Sequence, residues 1–329
     1  MTTRGLLDAQ ELARHSVTEA TDFAQSILES NANWQSPLVS YRLASEFQKG
    51  WKVEAGHWLL FAEQTGFLPA LRQRIQVRVR RMHAESLPDG RPDPNDPVHH
   101  ALQAELAPAM VAYYLSHAGW QFVDWDVRAS DGRFDVDVRM RTPDGALADI
   151  QVKASDRLGR IVDRRIVDGE VGAHVIAAIA GAAEQLEAAP GPIKIVAVSA
   201  QRTPPLSRSS FDIAGAVFGR TVQDDTGAVS LVAADRRLFA SAVGSTLTAV
   251  ILLDFIRWTD VLEMIDYAQY GCTVFLNPWT ASESPLRAAD FPYAAVCALE
   301  SGAFVWHGDP GECFVVPTGT RYVSEDAGA

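Results

Sequence analysis

Two short segments near the middle of the chain gather the residue types that could do chemistry. Residues 133–141 (RFDVDVRMR) and 146–153 (ALADIQVK) alternate apolar and polar side chains, which is the pattern of strands with one buried face. Residues two apart on a strand share a face, so Asp135 and Asp137 project together from the first, and Asp149, Gln151 and Lys153 from the second. If the strands are neighbours, an acid, an amide and an amine come into one small space at the edge of a sheet. The apolar face would consist of Phe134, Val136 and Val138 beside Ile150 and Val152. On that arrangement the polar face has two readings, a solvated surface or a site.

The elements that must position these residues follow from the flanking sequence. Val98 to about Ala118 places Leu102, Leu106, Met110, Tyr113 and Tyr114 on one helical face, with Gly119 as its C-cap. Residues 120–128 (WQFVDWDVR) predict a strand before the two already named. Ser130-Asp131-Gly132 and Thr142-Pro143-Asp144-Gly145 are turn chemistry, so the three strands form an antiparallel meander. An apolar helix over Val171–Ala188 and a strand over Ile193–Val198 come next. The order predicts an α/β (α+β) core of a mixed sheet flanked by helices.

Leu102-Gln-Ala-Glu105, then Tyr114 to Trp120, Gly132-Arg133-Phe134-Asp135 and Ile150-Gln151-Val152-Lys153-Ala154-Ser155 together resemble the PD-(D/E)XK nuclease superfamily, over roughly residues 98–200. The resemblance implies a restriction-endonuclease-like fold and a metal-dependent nuclease hydrolysing phosphodiester bonds of DNA, in defence or repair. Matched to the family's motif, Asp135 and Gln151 are metal-binding positions, Lys153 is the lysine, and Glu105 is the helix acid, so the implied catalytic set is Asp135, Gln151, Lys153 and Glu105. The implied cofactor is Mg²⁺ or Mn²⁺. Such chemistry needs a hard cation held by oxygens and a positive charge beside the phosphate. Gln151 stands where the family has Asp or Glu, and its oxygen can still ligate. Pro108 is expected to break the helix and leave Glu105 on a short preceding turn. Gln185 loosely matches a glutamine of some branches of the family, and a surface position explains it equally well. The alternative of a different class is a nuclease-fold protein without catalysis, acting as a nucleic-acid-binding or assembly module.

Around this core, residues 1–90 read as a helical N-terminal region with Leu59, Phe61, Phe67, Leu68 and Leu71 at helical spacing, closed by a loop over Ser86–Pro97 rich in proline and aspartate. Residues 201–329 read as an α/β extension packed on the core, with a buried strand over Thr248–Ile256 and a helix over Val261–Ala268. The 329 residues include 41 Asp+Glu and 29 Lys+Arg, for a formal charge of −12, which argues against loose coating of nucleic acid. Residues 201–329 alone hold 15 of the acids and 8 of the bases. Binding of DNA would then fall to two arginine groups, Arg72, Arg74, Arg78, Arg80 and Arg81, and Arg157, Arg160, Arg164 and Arg165. The competing account of both is a solvated face. His99-His100 read as solvated loop histidines and Asn277-Pro278-Trp279-Thr280 as a turn.

Three cysteines, Cys272, Cys297 and Cys313, are too few and too far apart for a four-ligand zinc site or a disulfide framework, and read as free, packed thiols. No phosphate-loop, dinucleotide, GxSxG or HExxH motif occurs. No apolar run approaches the ~20 residues that span a bilayer. The first residues lack the apolar stretch of a secretory signal, so a cytoplasmic protein is expected. A homodimer or a partner protein is left open by the sequence.

Overall fold

The computed structural model describes residues 58–59, 61–79, 97–130, 132, 135–154, 168–200, 210–223, 229–233, 238–242, 244–260, 265–280, 286–301, 303–310 and 322–323. The chain divides into two compact units, Met1–His117 with Ile256–Gln269 and Val315–Ala329, and Ala118–Phe255 with Tyr270–Phe314.

In the first unit, residues 58–59 and 61–64 are helical and precede α1 (Leu68–Val79) and α2 (Pro97–His117). Leu59, Phe61, Phe67, Leu68 and Leu71 are buried, as their helical spacing predicts, and so is Trp58. The rest of the 1–90 region and the proline-rich loop before Pro97 lie outside the described residues. Pro97 opens α2, where its missing N–H leaves no helical bond unmade. The helix then runs unbroken through Pro108 to His117, which corrects the expected break and sets Glu105 within a continuous helix. An interior proline costs about 3 kcal/mol. Here every residue from Leu106 to Leu115 except the proline is an apolar side chain buried to within a few per cent, and burying one large apolar side chain contributes about 1.5–3 kcal/mol. Packing therefore overrides the local breaker, and α2 is buried on all sides of this stretch instead of along one stripe. His99 and His100 belong to its first turn, not to a loop.

The second unit is built on a mixed sheet. Its strands are β1 (Gln121–Arg128), β2 (Asp135–Arg141), β3 (Leu147–Ala154), β4 (Ile193–Ala200), a separate hairpin of β5 (Gly219–Gln223) and β6 (Val229–Ala233), then β7 (Ala249–Asp260) and β8 (Ile265–Leu276), whose residues 256–260 and 265–269 count with the first unit, and β9 (Ala295–Glu300) and β10 (Ala303–His307). Sheet order is β1-β2-β3-β4-β7-β8-β9-β10, and Tyr322–Val323 pair with the first residues of β8. β1, β2 and β3 form the expected antiparallel meander. β3, β4 and β7 are parallel neighbours. A parallel pair needs a crossover, and between β3 and β4 it contains α3 (Asp168–Leu186), while α4 (Ser210–Phe218) follows β4. Val175, Ile179, Ala182, Ala183 and Leu186 of α3 and Ile213, Ala214, Val217 and Phe218 of α4 pack with Val196, Val198, Val250, Leu252, Phe275 and Cys297 on one face of the sheet.

Turn chemistry fixes the β2–β3 register. Thr142 N donates to Ala146 O, Gly145 N to Thr142 O, and Ala146 N to Thr142 Oγ1. Gly145 has φ +91°, a conformation that glycine adopts without a Cβ penalty. In the last third the predicted strand over Thr248–Ile256 is β7, but Ile265–Ala268 are strand and not helix. A short apolar run cannot be assigned by period alone, and here pairing with β7 and Tyr322–Val323 decides it. Cys272 and Cys297 are buried free thiols, and burial pushes the Cys297 thiol up to about 12. Among the described residues no helix is long and apolar enough to cross a membrane.

Candidate active site

The polar face of β3 is not a solvated surface. Asp149 is 0% and Gln151 6% exposed, and Lys153 is half-buried. Register explains why. Asp149 aligns with Lys194, Gln151 with Val196 and Lys153 with Val198 of β4, and Val196 and Val198 lie in the core beneath α3. The crossover helix that joins β3 to β4 thus covers the face on which the three polar residues stand, and each must find a partner within the protein.

Asp149 is opposite Arg139 of β2. Arg139 Nε donates to Asp149 Oδ1 at 2.6 Å and Arg139 Nη2 to Asp149 Oδ2 at 3.0 Å, a bidentate pair. The hydrogen bond to the carboxylate raises the proton affinity of the guanidinium further. Gly191 N, in the connection from α3 to β4, donates to Asp149 Oδ2 at 2.7 Å. A Cβ on Gly191 would lie 2.7 Å from that carboxylate, so the close approach demands glycine.

The laddered β2–β3 register ends at Val138 and Ile150, and one step beyond it Asp137 meets Gln151 through their side chains. Gln151 Nε2 donates to Asp137 Oδ2 at 2.6 Å, and Val152 N donates to the same oxygen at 2.7 Å. The other end of the amide is different: Gln151 Oε1 is buried with no hydrogen-bond partner. Exchanging O and N of this amide would set an oxygen against the carboxylate, so the observed orientation is the favourable one. Lys153 Nζ donates to Gln185 Oε1 of α3 at 2.6 Å. Burial lowers the proton affinity of the Lys153 amine, and the Asp137 charge acts in the opposite direction.

Of the two aspartates that share the β2 face, Asp137 is the one that meets Gln151. Asp135 is the exposed first residue of β2. Glu105 is partly buried on α2 and belongs to the other compact unit. Arg74 lies over the ring of Phe67, 5.3 Å from its centroid. Arg72 and Arg78 are on α1 with side chains outside the described residues, as Arg80, Arg81, Arg157, Arg160, Arg164 and Arg165 are altogether. Asp137 was visible in the sequence only as a neighbour of Asp135 on one face, and selecting between them required the register. Gln185 carried no signal beyond its loose match.

An arrangement of this kind offers oxygens to a hard cation. Asp137 supplies a carboxylate and Gln151 an unpartnered buried carbonyl oxygen, beside the Lys153 ammonium, while Asp135 stands exposed at the start of β2. Among the described residues no group of three or more His, Cys, Asp or Glu gathers around a common point. An oxygen set that includes an amide is of a different composition from such a group. Comparison with protein-family models, curated proteins and solved structures finds no match to this chain.

Proposed function

We propose that the chain is a divalent-cation-dependent nuclease with a restriction-endonuclease-like core, acting on DNA. The observation that carries this reading is the buried Gln151 Oε1 without a hydrogen-bond partner, next to Asp137 and within one residue pair of Lys153. A buried polar atom left unsatisfied costs about 1–3 kcal/mol, and a site awaiting a ligand is one reason for a fold to carry that cost. The sheet order supports the reading as well, with an antiparallel hairpin leading into a strand, a crossover helix and a parallel neighbour.

Asp137 and Gln151 Oε1 would hold Mg²⁺ or Mn²⁺, with Asp135 completing the oxygen set. The bound cation would supply a water of lowered pKa and neutralise charge developing on the phosphate. Lys153, half-buried and held by Gln185, would stabilise the same charge by an oriented ammonium in a low-dielectric place. Val152 N and Gln151 Nε2 both point at Asp137 Oδ2 and keep that carboxylate from rotating, which is pre-organisation of a ligand. The arginines at 72–81 and 157–165 would bind the backbone phosphates of DNA. Cytoplasmic action in defence or repair, alone, as a homodimer or with a partner protein, belongs to the same proposal.

One observation favours a second reading, a nuclease-fold module that binds nucleic acid without cutting it. Gln151 spends its N–H on Asp137, so the pair is partly satisfied by itself and carries one charge fewer than two carboxylates would. The experiment that separates the readings is incubation of the full chain with labelled duplex, single-stranded and branched DNA, with Mg²⁺, Mn²⁺ or EDTA. Cleavage that appears only with cation supports the nuclease. Binding without cleavage on every substrate supports the module.

A further inference from the structure

Gln185, which accepts the hydrogen bond of Lys153 at 2.6 Å, stands in the last turn of α3, one residue before its end. Helix ends fray, because their final carbonyls have no partner within the helix. A residue so placed is a poor support for an ammonium unless the turn is held from outside. Here three parts of the sheet hold it. Ser130, after β1, donates its N–H and its Oγ to Ala188 O at 3.1 and 2.9 Å. Lys194 Nζ of β4 donates to Glu187 O at 2.7 Å. Gly191 N donates to Asp149 Oδ2 of β3 at 2.7 Å, where a Cβ on residue 191 would collide with the carboxylate. The first two contacts are the usual capping of orphan carbonyls. Capping does not call for the third, in which a fully buried carboxylate draws the backbone beyond the helix too close for any residue but glycine.

β3 therefore meets the segment 185–191 twice, at Lys153 through Gln185 and at Asp149 through Gly191. Strand and segment close a ring, and in a ring the place of one contact is set by the other. We infer that the Asp149–Gly191 contact positions the Lys153 ammonium, acting through the last turn of α3 and Gln185. Arg139 fixes the Asp149 carboxylate from the β2 side, so the pair that joins the strands also sets the height of the helix end above them. The use of this arrangement in cleavage rests on the site proposed above, whereas the position of the ammonium is observable with no cation or DNA present.

The test is a cycle of variants in the full chain. Gly191→Ala sets a Cβ against a carboxylate that Arg139 keeps from swinging aside, so the segment must move. The ¹⁵N resonances of the Lys153 ammonium and the Gln185 carboxamide should both shift. Cleavage of duplex DNA with Mn²⁺ should fall about tenfold or more, since a misplacement of about 1 Å is enough to lose a positioned group. Gln185→Leu should lower cleavage to a similar extent. In that background Gly191→Ala should change neither the Lys153 resonance nor the rate any further, because the route through Gln185 is already cut. General destabilisation behaves differently: Val296→Ala, buried on β9 three strands beyond β4, should lower stability and leave the Lys153 resonance in place. If Gly191→Ala does not fold by circular dichroism, Ser130→Ala removes one donor from Ala188 O and should shift the same two resonances by less. Unmoved resonances in the folded variant overturn the inference, and so does an effect of that variant that persists without Gln185. If the wild-type chain cuts no DNA while the resonances behave as described, the nuclease reading fails and the positioning role stands.

Discussion

Two cross-strand contacts on one polar face lie a single residue pair apart, and they are satisfied differently. At Arg139–Asp149 the carboxylate receives two guanidinium hydrogen bonds and one from Gly191 N, so a fully buried charge is matched by donors on three sides. At Asp137–Gln151 the carboxylate is held, but the amide oxygen beside it is buried without a hydrogen-bond partner. Both contacts use the same strands and the same covering helix. What separates them is completeness: a saturated polar cluster joins elements, whereas an unsaturated one has an atom to offer. The first therefore reads as the bolt that fixes β2, β3 and the start of β4, and the second as the place where a ligand would sit.

Asp149→Ala should produce the largest effect of all. It leaves the partly exposed Arg139 guanidinium and the Gly191 N–H without their acceptor, a loss on the order of 2–3 kcal/mol. Denaturant unfolding would measure it, and a loss below about 1 kcal/mol would mean that the bolt is not one. Next in size, if the proposed nuclease reading holds, Lys153→Ala beside the other contact should spare stability and reduce DNA cleavage by about 10²-fold or more. Circular dichroism melts alongside rate measurements check both halves, and a variant that cuts at the wild-type rate removes Lys153 from the site.

How much of this was legible in advance depended on distance along the chain. The three meander strands, α3 and β4 could be read to within a few residues because alternation, helical period and turn residues such as Gly132 and Gly145 are local signals. That Asp149, Gln151 and Lys153 share a face was equally local. Their burial was not, since it comes from α3 folding back over β3, a contact between segments some 30 residues apart in the case of Lys153 and Gln185. The identity of the aspartate that meets Gln151 depended on register, which the Thr142–Ala146 turn sets. Pro108 and Ile265–Ala268 failed for one reason: a local preference was overridden by packing in α2 and by strand pairing in β8.

A smaller effect sharpens the comparison at Gln151 itself. Gln151→Glu would set two carboxylates in contact where a donor and an acceptor now meet, so one of them must take up a proton or both must share a cation. The metal-free variant should lose about 1–3 kcal/mol, the linkage energy of about one to two pKa units. The shared site would have the raised pKa, so the loss should be present at neutral pH and disappear as pH falls and the pair binds its proton. Mn²⁺ should restore the stability at neutral pH. Unfolding curves at two pH values with and without Mn²⁺ would record this, and a variant as stable as wild type in all four would mean that Asp137 and Gln151 do not face each other.

The most direct measurement of the central claim, that the Asp137–Gln151 contact is a ligand site and the Arg139–Asp149 contact is not, is the stabilisation of the chain by cation. Ligand that binds only the folded state adds about 2.7 kcal/mol at a hundred times its Kd. Unfolding of the full chain in urea, with and without saturating Mn²⁺, should show that gain for wild type and none for Asp137→Asn, whose folded state keeps Gln151 but lacks the carboxylate charge. Equal stabilisation of both proteins, or of neither, would contradict the account.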